Sequence, residues 1–178
     1  MVRADRRCFG RAANGADLRE TTTKPAADTL AIRRVRRADI ADVIALDERI
    51  TGLAKPDYWH DVFARYGERR LGERFFLVAE ASEPRDDERI LGFIVGEVRA
   101  WEFGSAPCGW VFALSVLPGA RLRGIGQMLL DAISEEFKKA NVTKMRTMVA
   151  RDNRLHLLFF RGEGMMAGPY IQLEKELD

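Results

Sequence analysis

What this chain lacks narrows its class before any motif is considered. It has two cysteines, Cys8 and Cys108, and two histidines, His60 and His156. Two distant thiols build no disulfide framework, and no Cys/His group has metal-ligand spacing, so no metal site is expected. Reduced thiols suit a cytoplasmic protein, which is the expected location. No apolar run approaches the roughly 18 residues that a spanning helix needs, so no membrane association is expected. The amino terminus is charged but lacks the apolar segment of a signal peptide.

Charge surplus is also scarce. The chain carries 29 Lys and Arg against 27 Asp and Glu, a net charge of +2. The whole surplus sits at the start, where Arg3, Arg6, Arg7, Arg11, Arg19 and Lys24 face Asp5, Asp17, Glu20 and Asp28. The remainder is neutral, whereas a nucleic-acid-binding domain shows its basic excess in the folded part. No nucleic-acid partner is expected. Residues 1–29 read as a disordered tail and 30–178 as one domain, since 178 residues supply one core and are short for two.

The pattern that follows is mixed. Ala31–Val35 reads as a strand. Asp39 is placed as an N-cap for a helix to about Arg49. Tyr58–Tyr66 reads as a second helix with Tyr58, Val62, Phe63 and Tyr66 on one side. Strands are predicted over Phe75–Ala81, Ile90–Val98, Trp110–Val116, Met145–Ala150 and Tyr170–Leu177. Helices are predicted over Met128–Ala140 and Asn153–Arg161. The order is β-α-α-β-β-β-α-β-α-β, an α/β layout. Trp110–Val116 is apolar on both faces, as a central strand should be.

Between that central strand and the following helix lies Val116-Leu-Pro-Gly-Ala-Arg121-Leu-Arg123-Gly124-Ile-Gly126-Gln127. A strand feeding a basic, glycine-rich turn that opens a helix is suited to a pyrophosphate. Amide groups at a helix start lack intrahelical partners, and the helix dipole favours an anion there. Two other phosphate loops do not fit. Gly126 is followed by Gln127 and Met128, not the Lys-Ser/Thr of a Walker loop. Leu129 occupies the place where a dinucleotide fingerprint needs a third glycine or alanine.

Arg121-x-x-Gly124-x-Gly126 after a strand ending in Val-x-Pro resembles the acyl-CoA loop of the GNAT superfamily of N-acetyltransferases. A second block, Asn153-Arg-Leu-His156-Leu-Leu-Phe159-Phe160-Arg-Gly-Glu-Gly164-Met165, is similar to the later motif of that family. The resemblance spans about Ala31 to Leu177. It implies an α/β acyltransferase fold: a mixed, mostly antiparallel sheet, splayed between strands 4 and 5 and flanked by helices. Those strands map to Trp110–Val116 and Met145–Ala150.

The resemblance further implies an enzyme that moves an acetyl group from acetyl-CoA to a primary amine by direct attack in a ternary complex. The acceptor would be a protein N-terminus, a peptide or a small amine. Leu114, Ser115 and Val116 would bind the pantetheine arm through their backbone. Arg121, Leu122, Arg123, Gly124, Ile125, Gly126 and Gln127 would wrap the pyrophosphate. Asn153 would bond the pantetheine, although asparagine also serves as a plain N-cap. Oligomeric state stays open, with a homodimer among the options.

The chain departs from the family where acid–base chemistry is done. Phe160 stands where many members carry a tyrosine acid; it can pack against the thioester end of the arm but cannot donate a proton. Met148 and Trp110 stand at or near positions that hold glutamate bases in other members. Glu97, Glu102 and Asp152 remain, and Glu97, acting through water, is the candidate base, against the alternative of a solvated edge carboxylate. A weak base favours low-pKa amines: an α-amine near 8 is about a tenth neutral at pH 7, whereas a lysine near 10.4 is almost wholly charged. The missing acid and base keep open an alternative, a non-catalytic acyl-CoA-binding module. A nucleotide-phosphate binder is a third, weaker reading of the same loop. Trp101, Tyr58, Trp59 and Tyr170 are candidates for either an acceptor pocket or the core.

Overall fold

The computed structural model describes residues 30–69, 72–85 and 88–177. The predicted tail, 1–29, lies outside the described residues. Five strands form one sheet in the order β1-β2-β3-β4-β5: β1 Leu30–Arg34, β2 Arg74–Arg85, β3 Glu88–Arg99, β4 Cys108–Val116 and β5 Met145–Thr147. The first four pair antiparallel, and β5 joins β4 in parallel. The helices are α1 Ile40–Thr51, α2 Pro56–Val62, α3 Ile125–Lys139 and α4 Arg154–Gly162.

The two faces of β3 follow from its alternation. A β-carbon on Gly92 would meet Leu129 and Ile125, and one on Gly96 would meet Ile133 and Phe137, so α3 covers that face. Phe93, one position out of phase, meets Trp59 of α2 at a ring distance of 4.8 Å, so α1 and α2 cover the other. Ile125, Leu129, Ile133 and Phe137 are buried at helical spacing, as the apolar stripe of that segment requires.

The helix phase of α2 differs from the prediction. Trp59 is buried and Tyr58 exposed, because the indole N–H needs a partner and finds Asp47 Oδ2 at 2.9 Å. Lys55 Nζ reaches the same carboxylate at 2.8 Å, fastening the α1–α2 connection. Asp39 precedes α1, but its carboxylate does not cap that helix. It is wholly buried and accepts from Arg33, Arg89 and the Arg36 amide.

Three strand predictions are corrected. Only Met145–Thr147 of the predicted Met145–Ala150 is strand, because β4 and β5 separate beyond the Val111–Thr147 pair. Cys108 lies inside β4 and is buried. Tyr170–Leu177 is not a strand. It has the apolar alternation of one but pairs with no sheet edge, and Ile171, Leu173 and Leu177 are exposed.

Candidate functional site

The separation of β4 from β5 creates the central feature of the molecule. β5 covers β4 only at Gly109, Trp110 and Val111. From Phe112 onward the β5-side edge of β4 is open, and Phe112 to Val116 are only partly buried. Opposite β3, Val95 pairs with Ala113 and Gly96 with Val111, so Phe112 is an extra residue, a bulge at the point where the strands part.

Backbone direction along the open stretch follows from one bond. The Leu117 amide donates to Leu91 O at 2.8 Å, so Leu117 points its polar groups at β3. Alternation then aims the amides and carbonyls of Leu114 and Val116 at the opening, and those of Ser115 at β3. Arg121 Nε, 3.4 Å from Val116 O, reaches back to this open edge. Of the three residues predicted to line the pantetheine path, Leu114 and Val116 aim their backbone groups at it, the Val116 carbonyl accepting from Arg121 Nε, and Ser115 does not.

The predicted loop lies at the end of that edge. Pro118–Ala120 make one 3-10 turn, and α3 starts at Ile125 with Gly124 as its N-cap. Gly124 adopts φ 76°, which costs glycine nothing and an L-residue about 1–2 kcal/mol. Leu122 is also left-handed, at φ 64°, with its side chain fully in solvent. Arg121 and Arg123 are exposed, Ile125 is buried under the helix, and Gly126 and Gln127 complete its first turn. Left-handed residues at 122 and 124 suit a turn whose amide groups face an anion, and the start of α3 adds its dipole.

α4 closes the other side. Asn153 is its N-cap, with Oδ1 accepting from the His156 amide at 3.1 Å and Nδ2 lying 3.1 Å from His156 Nδ1. The capping role read from the sequence is therefore present. Burial, and then the charge of Arg121, lower the His156 pKa below its ordinary 6.5. Phe160 is buried against Phe159, with ring centroids 5.1 Å apart. Phe159, which the sequence did not single out, lies beside the loop, 3.1 Å from where a Gly126 β-carbon would be.

Glu97 is not a solvated edge carboxylate. β3 is a central strand, and the Glu97 side chain is 19 % exposed. Tyr66 O–H donates to Oε2 at 2.8 Å, and Arg99 Nε donates to Oε1 at 3.1 Å. Arg74 Nε is 4.0 Å away. Tyr66 comes from Phe63–Glu68, where the helix after α2 widens to π geometry, with Arg69 N bonded to Ala64 O. That widened turn aims Tyr66 at the sheet, where its ring meets the bulged Phe112 at 5.2 Å. Burial, and then the bond to Glu97, push the Tyr66 hydroxyl up to about 12.

The other candidates lie apart from this cluster. Glu102 touches its rim through Arg99 at 4.0 Å. Asp152 is exposed. Trp59 belongs to the core, Trp101 is exposed, and Tyr170 lies under the Arg146 guanidinium at 4.7 Å. Among the described residues there is no His/Cys/Asp/Glu group that could hold a metal ion. No described helix is long and apolar enough to cross a membrane.

Comparison with known proteins agrees with this geometry. No protein of curated function matches the chain in sequence. Among solved structures, the aminoglycoside N-acetyltransferase AAC(6')-Iy in complex with CoA superposes with a TM-score of 0.72 at 16% identity, covering 85% of this chain and 97% of that one. The aminoglycoside 6'-N-acetyltransferase AAC(6')-Ih from Acinetobacter baumannii gives 0.68 at 16% identity, covering 84% and 100%. Glucosamine-6-phosphate N-acetyltransferase from Arabidopsis thaliana gives 0.61 at 17% identity, covering 84% and 99%. At these identities the likenesses show a shared fold. The family model for GNAT acetyltransferases matches residues 40–163, spanning the loop and all but the last two residues of the Asn153 block. The chain belongs to the acetyltransferase (GNAT) family, enzymes that draw their acetyl group from acetyl-CoA.

Proposed function

We propose that this protein transfers the acetyl group of acetyl-CoA to a primary amine by direct attack in a ternary complex. The observation that carries the reading is the open β4 edge, with the backbone of Leu114 and Val116 aimed towards the cleft, running into the turn Arg121–Gln127 at the start of α3. The pyrophosphate takes the loop amides and the Arg121 and Arg123 charges. The pantetheine amides pair with Leu114 and Val116 as an added strand would, with Ser115 between them. Asn153 keeps its cap and offers Nδ2 to the arm. Phe159 and Phe160 form the apolar wall of α4 beside the arm.

In this reading the Leu114 amide, two residues past the Phe112 bulge where the strands part, is the donor for the tetrahedral oxyanion. The amine forms a bond to the acetyl carbon, and the C–S bond breaks as CoA leaves. Thiols near pKa 8.5 depart as thiolates without a strong acid, so the phenylalanine at 160 is compatible with turnover. Glu97 is the candidate base. Its oxygens are engaged by Tyr66 and Arg99, so it takes the amine proton through water on a remaining lone pair. The buried thiol of Cys108 lies at the opposite end of β4 from the loop, which supports transfer without a covalent enzyme intermediate. Acceptors of the structural neighbours, aminoglycosides and a sugar phosphate, place amino sugars beside α-amines in the panel to test.

The test is thiol release from acetyl-CoA against a panel of amines, with both substrates varied. Intersecting initial-velocity lines support the ternary complex, and parallel lines overturn it. Glu97→Gln is expected to lower kcat at least tenfold; unchanged turnover removes Glu97 from the chemistry. Tight CoA binding with no turnover across the panel would leave the non-catalytic module as the reading.

A further inference from the structure

One row of side chains crosses four strands on the face covered by α1 and α2. Arg74 of β2 pairs with Glu97 of β3, Glu97 with Trp110 of β4, and Trp110 with Arg146 of β5. Cross-strand partners share a face, so all four project together. Arg99 stands one step along β3 on the same face, opposite Cys108, with its guanidinium 4.6 Å from the Trp110 ring centre. The row lies at the closed end of the splay, next to the Phe112 bulge.

Its charges do not balance. Glu97 is met by Arg99 and Arg74, and among the described residues the other carboxylate that pairs with them is the rim residue Glu102. Arg146 is different. Its Nη1 lies 2.6 Å from Ser105 Oγ and 3.6 Å from Cys108 Sγ, and its face stacks on Tyr170. All three partners are neutral, and it forms no ion pair among the described residues. The residue is half-buried, and Ser105 is buried beneath it. A cation held out of bulk water by neutral groups, with donors to spare, is suited to an anion. Beside it the β3–β4 connection holds Trp101 and Phe103 exposed in left-handed backbone, φ 63° and 49°. Bulky residues rarely adopt that conformation, and it is found where a loop is shaped for a ligand.

We propose that the acceptor is an anionic amine, and that Arg146, flanked by Arg99, takes up its phosphate or carboxylate at the closed end of the β4–β5 cleft. The inference rests on the N-acetyltransferase reading above and adds the substrate class. The anion sits against the Arg146 guanidinium, and the amine then points along the cleft to the Phe112 bulge, where the thioester arrives. A polycationic aminoglycoside meets three arginines on this face.

The experiment uses two matched pairs of acceptors with the full chain: glucosamine 6-phosphate against glucosamine, and an aspartyl against an asparaginyl dipeptide amide. CoA release is measured for each, together with binding of each acceptor to the CoA-loaded protein by calorimetry. The anionic member of at least one pair is expected to show kcat/KM about tenfold or more above its neutral partner. Which pair shows it separates a phosphate from a carboxylate acceptor. Arg146→Gln should bring that ratio near one, and Arg146→Lys should restore part of it. Lys138→Gln, on the far surface, should leave the ratio as it is. If Arg146→Gln fails to fold, the Arg146→Lys ratio and its salt dependence carry the same comparison. Equal or reversed preference within both pairs overturns the proposal, as does a preference that survives Arg146→Gln. Selective binding of an anionic member without any CoA release would uphold the anion site and count against acetyl transfer to these amines.

Discussion

The Tyr66 hydroxyl donates 2.8 Å to Glu97 Oε2, joining the widened turn after α2 to the centre of the sheet. Removing it leaves a half-buried carboxylate short of one partner. Tyr66→Phe should therefore cost about 1–2 kcal/mol at neutral pH. The hydroxyl titrates near 12 in the folded protein and near 10 when unfolded, so folding favours its protonated form. That contribution is complete below pH 10 and is lost as pH rises through 12. Urea unfolding between pH 9 and 12 should show a steeper decline for the parent protein than for Tyr66→Phe.

Asp39 predicts the opposite limb. Burial raises its carboxyl, but hydrogen bonds from Arg33, the Arg36 amide and Arg89 outweigh that and hold it at about 2, below the ordinary 3.8. The Arg33 hydrogen bond holds Glu80 at about 2 against an ordinary 4.5. Both contributions are complete above about pH 4.5 and are lost as pH falls through 2. Asp39→Asn should cost about 2–4 kcal/mol at pH 7, since Arg33 and Arg89 stay behind without it. Its unfolding free energy should also fall less between pH 4.5 and 2 than that of the parent, measured by the same urea titration.

Gly124→Ala separates the loop from the fold. A β-carbon there meets nothing within 4 Å, so the strain comes from φ 76° alone. About 1 kcal/mol of destabilisation, or a Tm lower by about 2–4 °C, is expected. A shifted Gly124 moves the amides at the start of α3, so KM for acetyl-CoA should rise several-fold while kcat changes less. Calorimetry with CoA and a thermal melt check the two parts. A CoA affinity unaltered beside a lowered Tm would remove Gly124 from the cofactor site.

His156 reports on the same loop without any assay of activity. Its pKa is lowered by burial and then by Arg121. Arg121→Ala should raise it, and so should a bound pyrophosphate that neutralises Arg121. Proton NMR titration of His156, with and without CoA, measures both shifts. A His156 pKa that CoA leaves unmoved would argue against phosphate at this loop.

The parts of the site that could be read from the chain are local. Arg121, Gly124 and Gly126 stand within one turn of each other, and their chemistry follows from a strand end, a left-handed glycine and a helix start. Asn153 is legible as a cap for the same reason. The phase of α2 was less so, because Tyr58 and Trp59 are adjacent and both apolar; a buried acceptor for the indole N–H decided between them. The extra residue at Phe112 leaves no mark in a run of apolar side chains. Tyr170–Leu177 alternates as a strand does, but a strand exists only where an edge pairs with it.

The order of the first five strands and the four helices, the glycine-rich turn before α3 and the family were set by sequence alone, because each depends on neighbours along the chain and on periodicities that backbone geometry imposes. Tertiary structure decided the rest. Arg74, Glu97, Trp110 and Arg146 lie on four strands and come into one row only through the register of three separate pairings. Register is fixed by which faces are buried against α1, α2 and α3, a property of the whole core and not of any segment. Glu97 thereby changes from a lone acidic residue in a strand to a carboxylate held by Tyr66 and Arg99, and Arg146 becomes a cation whose direct contacts among the described residues are neutral.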